Sequence, residues 1–126
     1  MSHSIRLFDR AFLSKESGFV ERCNSHAVPV EGNSVRVNVN LSNSSGSGEQ
    51  LVLQLEGTYD GQVWLTSNLT NAAITFGPNP TSPNVSQSTS LVTLDYAFVR
   101  LRATVSQSVG SDAKALFDAE LVFSHQ

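Results

Sequence analysis

The chain has one cysteine, Cys23, and so cannot close an intrachain disulfide. Its stability has to come from internal packing or from contact with other chains. There are only two lysines, Lys15 and Lys114, and charged residues make up 15% of the chain, well under the ~25% usual in globular domains. Ser, Thr and Asn fill that gap, which leaves good helix formers scarce. The basic residues are scattered and the net charge is −3, so there is no basic run for a phosphate backbone, and no nucleic-acid partner is predicted. No stretch approaches the ~18 consecutive apolar residues of a membrane span, and no membrane partner is predicted either. The start, MSHSIRLFDRAFL, lacks a basic segment followed by an apolar one; the expectation is cytoplasmic synthesis without a signal peptide.

What remains is a chain of 126 residues, the size of one ordinary domain, with an apolar share of 40% that suffices for a core. Its periodicity is two. In SVRVNVNL, Val35, Val37, Val39 and Leu41 line one face while Arg36, Asn38 and Asn40 line the other. Leu51, Leu53 and Leu55 repeat the pattern. So do Ala97, Val99, Leu101, Ala103 and Val105, and again Ala115, Phe117, Ala119, Leu121 and Phe123. The segment DAKALFDAEL is the best local helix candidate, but its alternation and aromatics favour a strand.

Breakers separate these runs. SNSSGSGE (42–49) predicts a hairpin connection, GPNPTSPNVSQSTS (77–90) carries three of the four prolines and cannot be a central strand, and SQSVGSD (106–112) predicts a further turn. Short strands with such punctuation predict an all-β fold: a single antiparallel β-sandwich of jelly-roll type, about eight strands, over residues 1–126. Asp60-Gly61, between two apolar runs, predicts a two-residue type I′ turn. That register sets Gly57 opposite Trp64 and puts the lone Trp on the face of Leu51, Leu53 and Leu55, with Gly57 leaving room for the indole. The expectation is a core Trp64; one bulge near Gly57-Thr58 would instead turn it toward a ligand.

TYDGQVW, with Asp60, Gly61 and Trp64, followed by YAFVRLRATV, resembles the S-x-D-G-x-x-W turn and late R-Y-V-R strand of discoidin-like, galactose-binding-like jelly rolls. The likeness covers about a third of the chain. It implies the fold and transfers no binding residue, because in that family these positions are scaffold. The flanking cysteine pair of that family is absent, and residues 1–31 have no counterpart in it. In composition and texture the chain also resembles bacteriophage-like virion proteins, the head-decoration and tail subunits.

Catalytic constellations fail on spacing. Cys23 and His26 lie three apart, on opposite sides of an extended chain, and no G-x-S-x-G elbow is present. Glu56 and Asp60 bracket a turn, while Asp118 and Glu120 read as a solvated strand face rather than a glycosidase pair. His3, His26 and His125 lack metal-ligand spacing, so no metal or cofactor is predicted; the Asp60 turn and the Asn-rich loops are the nearest approach to a calcium site. Four Asn-x-Ser/Thr triplets, at Asn40, Asn43, Asn68 and Asn84, read as chance matches in so Ser- and Asn-rich a chain. The sequence therefore predicts no enzyme.

Two stretches suggest contact with partners. Tyr96, Phe98, Arg100 and Arg102 project from one side of a strand as an aromatic and basic stripe; they read as a recognition surface, or as a loop-covered Phe with Arg paired across strands. In the N-terminal segment, Phe8, Arg10 and Phe12 share one side and Leu7, Asp9 and Ala11 the other, so both sides need cover. Residues 1–31 are then either a core strand plus an edge strand, or an arm on a neighbouring subunit. The candidate interface residues are Phe8, Phe12, Tyr59, Tyr96, Phe98, Arg100 and Arg102. The functional expectation is a structural subunit of a self-associating assembly, most concretely a phage-like virion surface protein. The alternative is a carbohydrate-binding module whose glycan would meet Tyr59, Tyr96 and the 77–90 loop.

Overall fold

The computed structural model describes residues 2–14, 22–45, 49–76, 85–107 and 114–125. All regular structure in them is β: β1 (Ser2–Ser14), β2 (Arg22–Asn24), β3 (Val28–Pro29), β4 (Ser34–Ser45), β5 (Glu49–Thr58), β6 (Ala73–Phe76), β7 (Val85–Ser88), β8 (Val92–Thr93), β9 (Phe98–Gln107) and β10 (Lys114–Ser124). One sheet runs β1-β10-β4-β7, with β8 continuing the β7 row along β4; the other runs β2-β9-β5-β6, with β3 continuing the β2 row along β9. All pairings are antiparallel. Counting each broken pair as one row gives four rows per sheet. Apart from the β5–β6 step, successive rows lie in opposite sheets, which is the connectivity of a jelly roll. The predicted sandwich of about eight strands is the one observed.

The alternating runs supply the core. Val35, Val37, Val39 and Leu41 on β4 and Ala115, Phe117, Ala119, Leu121 and Phe123 on β10 face Leu51, Leu53 and Leu55 on β5 and Val99, Leu101, Ala103 and Val105 on β9, all buried. Each Val, Leu or Phe among them contributes about 1.5–3 kcal/mol on burial. Within DAKALFDAEL, residues 114–121 are strand, because a helix would scatter Phe117, Leu121 and Phe123 around its circumference instead of on the single face they share.

Three local expectations are corrected. β4 and β5 belong to different sheets and do not pair, so the hairpin expected at 42–49 does not form. Ala97 lies in a bend before β9 and is exposed, so the inward stripe of that strand begins at Val99. In β1 the pairing register slips twice, between Arg6 and Phe8 and between Phe8 and Ala11, and Arg10 takes φ 51°. The bulges break strict alternation, so Leu7 and Phe8 both turn inward while Phe12 stays 47% exposed. The 106–112 turn and the proline-rich stretch fall mostly outside the described residues, but Val85–Ser88 forms an edge strand on β4, compatible with the exclusion from a central position.

Candidate interaction surface

The turn after β5 decides where the lone Trp points. Asp60 Oδ1 accepts from the amides of Gln62 (2.8 Å) and Val63 (3.0 Å) and from the Thr58 hydroxyl (3.1 Å), while Thr58 Oγ1 accepts from Gly61 N (2.9 Å). These bonds, led by the Val63 amide, hold the Asp60 carboxyl below its ordinary pKa. Only Gly61 has positive φ (81°), whereas a type I′ turn needs it at both central residues. The loop is therefore longer than two residues. Gly57 exchanges both backbone hydrogen bonds, 2.8 Å each, with Leu65 rather than with Trp64. That one-residue slip turns Trp64 to the outer face, and it is absent from the core. The space over Gly57 is taken by Tyr96, whose ring lies where a Cβ would stand.

On the outer face of the second sheet, Thr58 pairs with Phe98, Glu56 with Arg100 and Gln54 with Arg102. Glu56 is enclosed, with an 8% exposed side chain, and takes Arg100 Nε at 3.0 Å and Arg102 Nη1 at 3.4 Å. The Arg100 guanidinium lies over the Trp64 ring, 4.1 Å from its centroid. The carboxylate, two guanidiniums and an indole thus bind the returning loop to β5 and β9. Of the predicted stripe, Phe98, Arg100 and Arg102 share this face, with Phe98 40% exposed.

Tyr96 does not share it. It is buried under Gly57 and its hydroxyl donates to Ser67 O at 2.8 Å. Phe8 is buried too, edge-on to Phe117 with ring centroids 5.2 Å apart, so neither aromatic is offered to a partner. Both corrections come from irregular backbone, the bulges in β1 and the bend before β9, which period-two reasoning does not register. Tyr59 is exposed; its ring packs 4.7 Å from that of Tyr96 and its hydroxyl donates to Asp95 at 3.0 Å, which raises the phenol pKa. Phe12 lies exposed on β1, which pairs with β10 of the same chain.

The remaining polar candidates are separate. Cys23 is half-buried with Sγ toward Asn24 O, and His26 is exposed beyond the end of β2. Asp118 accepts from Arg10 N at 2.7 Å, and Glu120 accepts from Asn38 Nδ2 at 3.1 Å. Both line a shallow groove of about 200 Å³ on the outer face of the first sheet, with Arg6, Asn40 and Ser86. Ser2–Ser124 pairing brings His3 on β1 and His125, just past β10, to one end of the sheet, yet the described residues hold no group of three or more His, Cys, Asp or Glu that could bind a metal. Among them, no helix is long and apolar enough to cross a membrane.

No protein-family model matches the sequence, and no curated protein does. Solved structures do match. The chain is similar to VP2 of the infectious bursal disease virus subviral particle, with TM-score 0.62 and 11% identity over 99% of this chain and 33% of that one. It is also similar to the structure of the Gx strain of that virus (TM-score 0.56, 10% identity, 98% of this chain and 33% of that one). The Gt strain matches as well (0.54, 12%, 98% and 32%). At such identity the likeness is one of fold, and the chain spans about a third of those proteins. These neighbours support the virion-like jelly-roll resemblance; the discoidin-like one finds no support among them.

Proposed function

We propose that the chain is a non-enzymatic structural subunit of a virion-like assembly, burying surface against copies of itself and against other subunits. The observation that carries this reading is the match of nearly the whole chain to the jelly roll of a protein that forms a subviral particle. Jelly rolls are a standard building unit of viral shells. Exposed apolar side chains on this small domain, Tyr59, Val63 and Phe98 among them, give such packing something to bury. Its narrower form, a surface protein of a phage-like virion serving as capsid decoration or tail subunit, is the version the composition first suggested. Sedimentation velocity across nanomolar to high micromolar concentrations tests the proposal: multimers of defined size support it, and a single species with the mass of one chain throughout refutes it.

A carbohydrate-binding role has less to stand on. Of its two aromatics, Tyr96 is buried, and Tyr59, though exposed, has its ring packed 4.7 Å from that of Tyr96.

A further inference from the structure

We infer that one end of the sandwich is a docking surface for a second copy of this chain, seated against that copy's arginine-bearing outer face. The inference rests on the assembly reading above and names the contact it uses.

Five of the six large apolar side chains exposed among the described residues are Tyr59, Val63, Leu65, Leu91 and Phe98. They come from two segments, 59–65 and 91–98, that are tied together. Ala97 N donates to Thr58 O at 3.1 Å, Tyr59 donates to Asp95, and the Tyr59 and Tyr96 rings touch. The apolar side chains therefore gather at the end where β5 finishes and β9 begins. The same end carries three exposed acids, Glu31, Asp60 and Asp95; Glu31 is held there by its neighbour Val30, whose amide donates to Ala97 O at 3.0 Å, and its carboxylate meets His3 Nε2 at 2.9 Å while its side chain stays 55% exposed. The end is thus apolar with an acidic rim.

The outer face of the second sheet has the opposite sign. Arg22, Arg100 and Arg102 stand on it. The one described acid on that face, Glu56, is enclosed between two of these arginines. The charge of Glu56 is spent within the chain, which leaves basic excess facing outward. Phe98 sits at the border of the two surfaces, on the arginine face at the apolar end. An acid-rimmed apolar end and a basic face with an aromatic at its border complement each other between copies. Because the two surfaces are different patches, the contact is heterologous, and its repetition closes a ring where the rotation allows and builds an open filament where it does not.

Mass photometry of three variants tests this. Val63→Asp puts a charge into the apolar end at an exposed loop position; Arg22→Glu and Glu31→Lys each reverse one exposed charge. Each alone is expected to weaken self-association about tenfold or more while leaving the urea midpoint of the dissociated chain, read at nanomolar concentration, unchanged. An equimolar mixture of Arg22→Glu and Glu31→Lys is expected to assemble again, because every contact in an alternating ring then regains opposite charges. Wild-type assembly unaffected by all three substitutions overturns the inference and leaves the assembly reading intact. A wild-type chain that stays monomeric removes both.

Discussion

Gly57→Ala probes the packing over Gly57, where Tyr96 stands in the space expected for Trp64. Gly57 is absent from the positive-φ residues, so its backbone would accept alanine if there were room. On conformational entropy alone the substitution should stabilise, by about 0.4–1 kcal/mol. The structure reverses that sign. An added Cβ falls far inside van der Waals contact with Cγ and Cδ2 of Tyr96, a ring that is itself buried. Overpacking of this kind costs about 1–3 kcal/mol. Displacing the ring also strains the hydrogen bond from the Tyr96 hydroxyl to Ser67 O, worth about 1 kcal/mol. The expected net loss is about 2–3 kcal/mol, or roughly 10 °C in melting temperature for a domain of this size. Urea denaturation of Gly57→Ala, Tyr96→Leu and the double variant measures it. The alanine should cost far less in the Tyr96→Leu background, where a smaller side chain can yield. A Gly57→Ala chain as stable as wild type, or equal costs in both backgrounds, would refute the assignment of Tyr96 to that space.

Two further predictions follow from the same loop. Arg100→Ala removes the 3.0 Å partner of an enclosed carboxylate and leaves Arg102 at 3.4 Å, so the loss should approach but not reach the 3–5 kcal/mol of a fully broken buried pair, at about 2–3 kcal/mol. It also uncovers the single tryptophan, and a change in Trp64 emission under native conditions checks the stacking directly. Asp60 has a folded pKa below its unfolded one, so its stabilising effect is complete above the unfolded carboxyl value and disappears as pH falls through the folded one. Urea midpoints taken in steps from neutral pH downward should show Asp60→Asn with a flatter acid limb than wild type; identical acid limbs would count against the capped loop.

The long strands were legible because each buries one face. Val35 to Leu41, Leu51 to Leu55, Val99 to Val105 and Ala115 to Phe123 alternate without interruption, and each lies where a period of two puts it. The short rows were not legible. β2, β3, β6, β7 and β8 span two to four residues each, too few for a pattern to emerge. Which strands share a sheet was also hidden, since a crossing between sheets and a hairpin use the same Ser, Gly and Asn residues. Asp-Gly misled for a reason visible afterwards. The Thr58 hydroxyl and the Asp60 carboxylate capture three amides and a hydroxyl, which favours a wider loop and moves Trp64 by one register step. Thr at 58, two residues before Asp60, was the available signal for that capture. At the N-terminus, Phe8 went inward and Phe12 outward because two bulges lie between Arg6 and Ala11, and nothing in the alternation of Phe, Arg and Asp marks them.

The central claim is that this jelly roll works by packing against its own copies, and cryo-electron microscopy of the purified chain tests it most directly. The account predicts rings or shells in which the Tyr59–Val63 end of one sandwich abuts the Arg100–Arg102 face of the next. Fields of isolated single sandwiches at concentrations well above micromolar would contradict it.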